Sequence, residues 1–528
     1  MVPGQLTLRV KRSVLVSHGA LAALTTLAVL PCLGEGLMLY DVGELVYFAD
    51  AVSERQVPGR DYVINAYGPG RYFLLAGLWE LLGRSFSVIW GLFFVLRLAI
   101  TALSWELSRR FLKGRWAYLP PLLLILVPGP LHKGFYLLGT LVLALAFALL
   151  ARRARWAAAD TWFRLGVVIA CVALFRLDLG GFGGLVALFV LYVTRTPLKM
   201  VFPLALPLVA GLASAAALLS ALGPDILPAV LSQLGDDLLK NQTIQYPVMP
   251  GLAELLAFEA WTPYFLWLPL PIYLATLGVL SRYWTRDAAG RASPSSLALS
   301  CALLLGVLTC NQVRMKPEYG HLLQAGPMLW LCTAVLLDRL GRAGGRTRRM
   351  LSAALVLALI GGLMNMTVTI SKGNLYTGSF TIPWGRDQPL KTPLGPVDLN
   401  GREHAELAPM LETLAAFPPG PLWVPTNQPL YFALSGRQDV TGHVGVVYYK
   451  GNLARQIEII GRLEESRPRL AVFVDDSIEG PSLRLAKAAP QIYSYLMTHY
   501  APLVTYGNHQ LMKRRGPVGP INPDLTPQ

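Results

Sequence analysis

The stretch Asp41-Val-Gly-Glu44-Leu-Val-Tyr47-Phe-Ala-Asp50-Ala-Val-Ser-Glu54, running on through Gly59-Arg60-Asp61-Tyr62 to Tyr67-Gly-Pro-Gly-Arg71, decides how this chain is read. It follows directly on the first long apolar segment, about Val14 to Leu33. Its acids therefore stand at the mouth of a membrane protein, where ionisable groups are costly and mark function by default.

Composition agrees with a membrane setting. The 528 residues are 54% hydrophobic and 15% charged, against about a quarter charged in a soluble domain. Mean hydropathy is +0.47. Apolar stretches of bilayer-spanning length recur over roughly the first 370 residues. A net charge of +15 spread evenly would suit nucleic acid. Here the basic residues are segregated into loops, so membrane lipids are the expected partner and nucleic acid is not.

The basic loops run from Arg109 to Arg115, Arg152 to Arg164, Arg195 to Lys199, Arg282 to Arg291 and Arg339 to Arg349. The intervening loop from Glu35 to Asn65 is acidic, with Arg55 and Arg60 its only bases. The bias of Lys and Arg toward the inside puts the basic set in the cytoplasm and the acidic loop outside. Arg9, Lys11 and Arg12 precede the first apolar segment without a small-x-small cleavage site after it, which reads as an uncleaved helix with a cytoplasmic N-terminus. About eleven spans are expected, near 14–34, 86–108, 116–130, 134–151, 164–178, 181–194, 200–222, 263–281, 295–312, 321–337 and 350–370. An odd number leaves the tail outside. Tyr67 to Gly83, apolar but broken by Gly and Pro, reads as a juxtamembrane helix. The outer loop Gly223 to Trp261 reads as amphipathic helices lying on the membrane, and its Asn241-Gln-Thr243 sequon is a short pattern of chance frequency.

Residues 1–370 thus form a polytopic α-helical membrane domain. Residues 371–528 form a small extracytoplasmic α/β domain with a Pro-rich, disordered end from Gly516. In that domain Leu422 to Pro425 and Arg469 to Val474 read as buried strands, and Leu453 to Glu465 and Gln491 to Tyr500 as helices. Val504 to Tyr506 and Gln510 to Lys513 form a hairpin across Gly507-Asn508. The five cysteines, Cys32, Cys171, Cys301, Cys310 and Cys332, all lie in or beside apolar spans. No CxxC or Cys/His metal spacing occurs, and no P-loop, Rossmann fingerprint or Gly-x-Ser-x-Gly.

The order Asp41-x-Gly-Glu44, Tyr47, Ala49-Asp50-Ala51, Gly59-Arg60-Asp61-Tyr62, Tyr67-Gly68-Pro69 and Leu78-x-x-Leu81-Leu82-Gly83 resembles the first loop of GT-C glycosyltransferases. These integral-membrane enzymes use lipid-phosphate-linked sugars and include the aminoarabinose and protein mannosyl transferases. The likeness is specific only over Asp41 to Gly83. Many members have adjacent Asp and Glu, whereas two residues separate Asp41 from Glu44 here. The high Ala, Leu, Gly and Arg content suits a bacterial inner membrane, and the resemblance implies a hexosyl- or pentosyltransferase. Its polyprenyl-phosphate-sugar donor would give up the sugar to a hydroxyl on a lipid, glycan or protein acceptor, on the extracytoplasmic side.

A hydroxyl is a weak nucleophile, and a positioned carboxylate that takes its proton lowers the barrier. Asp41 is the candidate base, with Asp61 and Glu44 as further catalytic candidates, and Asp41 and Asp61 also as candidate ligands of a divalent metal. Asp50 and Glu54 read as a solvated helix face. The leaving phosphate calls for positive charge. Lys133 after His132, Arg176 beside Asp178, and Arg314, Lys316 and His321 are cations at outer helix ends, against the inside bias, and are the candidate donor-phosphate residues. The bland readings are a solvated Asp41, a local Arg176–Asp178 pair and a capping His321. A polyprenyl-lipid transporter or flippase is the alternative, but it calls for ionisable groups at mid-span and matched broken helices. Only Arg97 and Glu106 in the second span approach that pattern. An oligosaccharide ligase or polymerase would keep the site and change the donor.

Overall fold

The computed structural model describes residues 3–30, 33, 39–58, 60–62, 68–126, 131–153, 158–239, 262–283, 293–315, 319–342, short pieces between 345 and 360, 386–448, 452–474 and 484–516. The chain up to Arg342 is helical in nearly all of these. Helix α1 is Pro3–Val29, α2 Asp41–Ser53, α3 Gly70–Leu82, α4 Phe86–Phe111, α5 Leu119–Leu126, α6 Gly134–Arg153, α7 Ala159–Phe175 and α8 Leu177–Thr194. There follow α9 Val201–Leu222, α10 Ile226–Leu239, α11 Thr262–Trp267, α12 Pro269–Tyr283, α13 Pro294–Thr309, α14 Asn311–Met315, α15 Tyr319–Gln324 and α16 Gly326–Arg342.

Among the described residues, 6 helical stretches have the length and apolar character to cross a membrane: Phe86–Phe111, Gly134–Ala151, Leu177–Thr194, Leu198–Leu222, Phe265–Arg282 and Pro294–Val313. The span expected at 14–34 corresponds to the apolar stretch Val14–Val29 within α1, and other expected spans correspond to shorter helices. Of the segment expected at 116–130, the described part is a 3-10 turn at Gly114–Tyr118 followed by α5, whose opening residues include Pro120 and Pro121, and residues 127–130 lie outside the described residues. The expected break between 164–178 and 181–194 moves to a single residue: Arg176, with φ −153° and ψ 103°, closes α7 and opens α8. The span expected at 350–370 lies largely outside the described residues, as do Cys32 and the sequon. Helix α3 has 13 residues, about 20 Å of length, too short for a hydrocarbon layer of about 30 Å, as a juxtamembrane helix requires.

Among the described residues, all strands lie in the C-terminal part. β1 (Arg386–Thr392) and β2 (Gly395–Asn400) form a hairpin, and helix α17 (Gly401–Ala415) opens on a reciprocal Asn400–Glu403 cap. β3 (Leu422–Trp423), helix α18 (Leu430–Ser435), α19 (Leu453–Ser466), β4 (Leu470–Val474), α20 (Leu485–Ala488), α21 (Pro490–His499), β5 (Tyr500–Tyr506) and β6 (His509–Arg514) complete it. The sheet order is β3-β4-β6-β5, with β3 parallel to β4 and the other pairs antiparallel. The expected strand over 422–425 is two residues long, while the hairpin across Gly507-Asn508 forms as read.

Strand periodicity divides this domain's core. Ala471 and Phe473 face a cluster with Ile459 and Leu463 of α19 and Ile492 and Leu496 of α21. Leu470, Val472 and Val474 face the other way, into a cluster holding Leu407 and Met410 of α17 and Leu430 of α18. That second cluster continues into Leu45, Val46 and Phe48 of α2, Tyr72 and Leu75 of α3, and Phe86 and Ile89 of α4. One face of the sheet is thus packed on the acidic loop. Burying Leu45, Val46 and Phe48, all at most 2% exposed, contributes about 2 kcal/mol each.

Candidate active site

The site is built from the first turn of α2. Asp41 and Glu44 both lie there, where backbone N–H groups favour negative charge, but they face different neighbours. Asp41 meets the short turn Leu131–Lys133 that opens α6. Its Oδ1 lies 3.2 Å from Lys133 Nζ and its Oδ2 3.0 Å from His132 Nε2. His132 is 5% exposed, and burial, opposed by Asp41, pulls its pKa down to about 4. The imidazole is therefore neutral near pH 7, leaving Lys133 as the cation on this carboxylate within the turn.

Glu44 points at α3. It accepts from the Arg71 guanidinium and from the Tyr72 hydroxyl at 2.8 Å, while Arg71 also donates to that hydroxyl at 2.6 Å. Glu44 and Arg71 are buried, at 4% and 7% exposure. This clamp joins α2 to α3. Arg71 is close enough to His132 to oppose its protonation, so the Glu44 clamp and the Asp41 group are neighbours.

A second ionic group lies on the other side of α6's first turn. Arg176 donates two hydrogen bonds to Asp178, at 3.0 and 2.7 Å, and Gln312 of α14 adds a third to that carboxylate at 2.9 Å. The guanidinium lies over the Tyr136 ring, 4.6 Å from its centroid, and Phe135 stacks on Phe175 at 5.5 Å. Phe135 and Tyr136 directly follow Lys133-Gly134, so these contacts join the α6 turn, the α7–α8 turn and α14. The glycines of the loop have a packing reason here. A Cβ at Gly68 would collide with the Leu174 carbonyl at the end of α7, and one at Gly70 would come within 2.9 Å of the same oxygen.

Of the residues singled out in the sequence, Asp41 and Lys133 are in contact, and Arg176 is joined to the 311–321 segment through Asp178 and Gln312. Arg314 lies in α14 and His321 in α15, whereas Lys316 falls outside the described residues. Asp61 has other partners: it pairs with Arg60 at 2.7 Å and accepts from the Val57 N–H at 2.7 Å. The Arg60 guanidinium holds its carboxyl below the usual range. Asp41 and Asp61 thus each face a cation already, and a divalent ion on either would have to displace it. Among the described residues no group of three or more His, Cys, Asp or Glu side chains has metal-binding geometry. Asp50 departs from its expected role as part of a solvated face. Arg84 grips it bidentately, both bonds 2.6 Å, and burial raises its pKa against that pairing.

Arg71, Tyr72, Tyr136 and Gln312 had no role in the sequence reading. Arg71 alone had a local signal, ending Tyr67-Gly-Pro-Gly-Arg71. The others are defined by contacts between distant helices.

Against solved structures, ArnT from Cupriavidus metallidurans in the apo state superposes with a TM-score of 0.53 at 13% identity, over 95% of this chain and 98% of that one. The same protein bound to undecaprenyl phosphate gives 0.53 and 13%, over 94% and 97%. The chain has the fold of these ArnT structures. An oligosaccharyltransferase from Archaeoglobus fulgidus is a more distant match, with a TM-score of 0.46 at 13% identity, over 93% of this chain and 73% of that one. No family model matches the sequence, and no curated protein matches it.

Proposed function

We propose that this protein is a membrane glycosyltransferase that moves a sugar from a polyprenyl-phosphate donor to an acceptor hydroxyl at the outer membrane surface. The observation that carries the reading is the Asp41 carboxylate, held between Lys133 and neutral His132 at an outer helix end, in a fold whose solved example binds undecaprenyl phosphate. In the proposed step the acceptor oxygen bonds to the anomeric carbon, and the bond from that carbon to the phosphate oxygen breaks. The polyprenyl phosphate leaves with the bond's electron pair, and the acceptor proton passes to Asp41.

Lys133 is the first cation for the leaving phosphate, because a lysine offers a mobile point charge. Arg176, Arg314, Lys316 and His321 form the rest of the proposed set. Glu44 acts in this reading by fixing Arg71 beside Asp41. Asp61 serves from the far end of the loop, on the acceptor side. The setting proposed is a bacterial inner membrane, with a cytoplasmic N-terminus and an extracytoplasmic C-terminal domain.

The test is a donor panel. Purified full-length protein is given polyprenyl-phosphate sugars and hydroxyl-bearing lipid, glycan and peptide acceptors, and products are read by mass. Glycosylated acceptor together with free polyprenyl phosphate is the expected result. Donor that is bound, or moved across a vesicle, but never consumed would sink the reading in favour of a transporter.

A further inference from the structure

We infer that the outer domain positions the helix that carries Asp41, through a clasp made by Tyr47 and the turn 439–442. The clasp rests on the glycosyltransferase reading only for its effect on turnover.

Helix α2 needs external support. It has 13 residues and its N-cap, Tyr40, makes no side-chain capping bond, and a helix of that length is marginal by itself. Its faces are held separately: Glu44 by α3, Asp50 by Arg84, and Asp41 by the α6 turn. The remaining face carries Gly43 and Tyr47, spaced four apart and so aligned along one side, and Leu39 lies in the turn that leads into the helix. All three meet the outer domain. The Leu430 N–H donates to the Leu39 carbonyl at 3.2 Å. Gly43 packs so closely that a Cβ would lie 2.6 Å from the Leu430 nitrogen. The Tyr47 ring lies 5.6 Å from that of Phe432, and its hydroxyl donates to Asp439 Oδ2 at 2.9 Å.

Asp439 is built to receive that bond. The Thr441 N–H and hydroxyl donate to its Oδ1 at 3.0 and 2.9 Å, and Oδ2, which the same hydroxyl reaches at 3.2 Å, takes the shorter bond from Tyr47. Burial raises its pKa against these bonds. Next in the turn, Gly442 has φ +65° and sits against the Asp61 carbonyl, where a Cβ would collide. Arg462 of α19 donates to the Thr441 carbonyl at 2.7 Å and fixes the turn from behind. One turn of the outer domain therefore holds the acidic loop at two points, Tyr47 and Asp61. Asp41 lies less than two helical turns from Tyr47, so tilting α2 about this clasp changes the distance from Asp41 to His132 and Lys133. Tyr47 and Asp439 are positioning residues, distant from the reacting atoms.

The experiment uses the full chain with Tyr47→Phe, Asp439→Asn and the double variant. Each single change should lower kcat about tenfold with donor KM within about twofold, because small misplacements of a reacting group cost rate while binding persists. The double variant should lose no more than either single one, as coupled partners do. Amide hydrogen exchange should quicken across residues 41–53 and stay unchanged in β4 and β6. Unchanged exchange in 41–53, or quickened exchange with full kcat, overturns the clasp. So does multiplicative loss in the double variant, or exchange that spreads into the sheet. If the wild-type protein transfers no sugar, the glycosyltransferase reading falls, and exchange alone decides the clasp.

Discussion

Two ionic groups flank the first turn of α6, and they are assembled on different plans. Around Asp178, the Arg176 guanidinium docks with two parallel bonds and Gln312 adds a third. Around Asp41, one oxygen meets a lysine at 3.2 Å and the other a neutral imidazole at 3.0 Å. A bidentate arginine–carboxylate pair is specific in geometry and strong, so an arriving anion must break it to recruit Arg176. Lys133 carries its charge on a flexible stem with three rotatable donors. The first group is fixed by its geometry; the second keeps its cation on a flexible stem, as the proposed departure of a phosphate requires.

The sharpest way to break this contrast is Asp41→Asn, which keeps the shape and removes the proton acceptor. Transfer should fall about a hundredfold or more, with membrane protein levels and donor binding near wild type. Full transfer by this variant would dissolve the distinction between the two groups. Next in size is the cation pair. Lys133→Met removes a charge-assisted phosphate contact of roughly 1.5–3 kcal/mol, so donor affinity should drop about ten- to a hundredfold in equilibrium binding. Arg176→Gln should weaken the same binding less, under about tenfold, since Asp178 already neutralises that guanidinium, and should lower the unfolding temperature instead. Equal losses in both would make the two groups one phosphate site. The smallest effects lie further along α2. Asp50→Asn gives up the Arg84 pair and should cost about 1 kcal/mol of stability, read as a lower melting temperature. Glu54→Gln, at an exposed position, should leave both stability and transfer unchanged.

Local pattern carried much of this molecule. The acids of the loop, the glycines of Tyr67-Gly-Pro-Gly-Arg71 and the cations Lys133 and Arg176 at helix ends are neighbours in sequence to the motifs that expose them. Strand β4 and the β5–β6 hairpin follow from an apolar run and a Gly-Asn turn. The illegible parts depend on distance along the chain. Tyr47 and Asp439 are 392 residues apart, and no periodicity links them. Asp50 looked solvated because Arg84 reaches it from beyond α3. The β1–β2 hairpin had no signal either, since Pro389 and Pro396 are poor strand formers and are tolerated at edges of a two-stranded ribbon. The α7–α8 turn around Arg176 was legible, but its width was not: the expected spans leave 179 and 180 between them, whereas the chain bends at Arg176 alone and packs Gly180 against Ala173.

The stretch Leu198–Leu222, which contains α9, is 25 residues long and only 6% of its apolar window is buried. Among the described residues little of the protein covers it, and at about 38 Å it is longer than a hydrocarbon layer of about 30 Å, a mismatch that a helix takes up by tilting, kinking or thickening the bilayer. Its hold on the protein is α7, where Gly166 lets the Leu204 carbonyl come so close that no side chain fits. The far end of α7 is the Leu174 carbonyl on which Gly68 and Gly70 rest. A change in acyl-chain length therefore has a mechanical route, through one lipid-facing helix and its rigid neighbour, to the loop that presents Asp41.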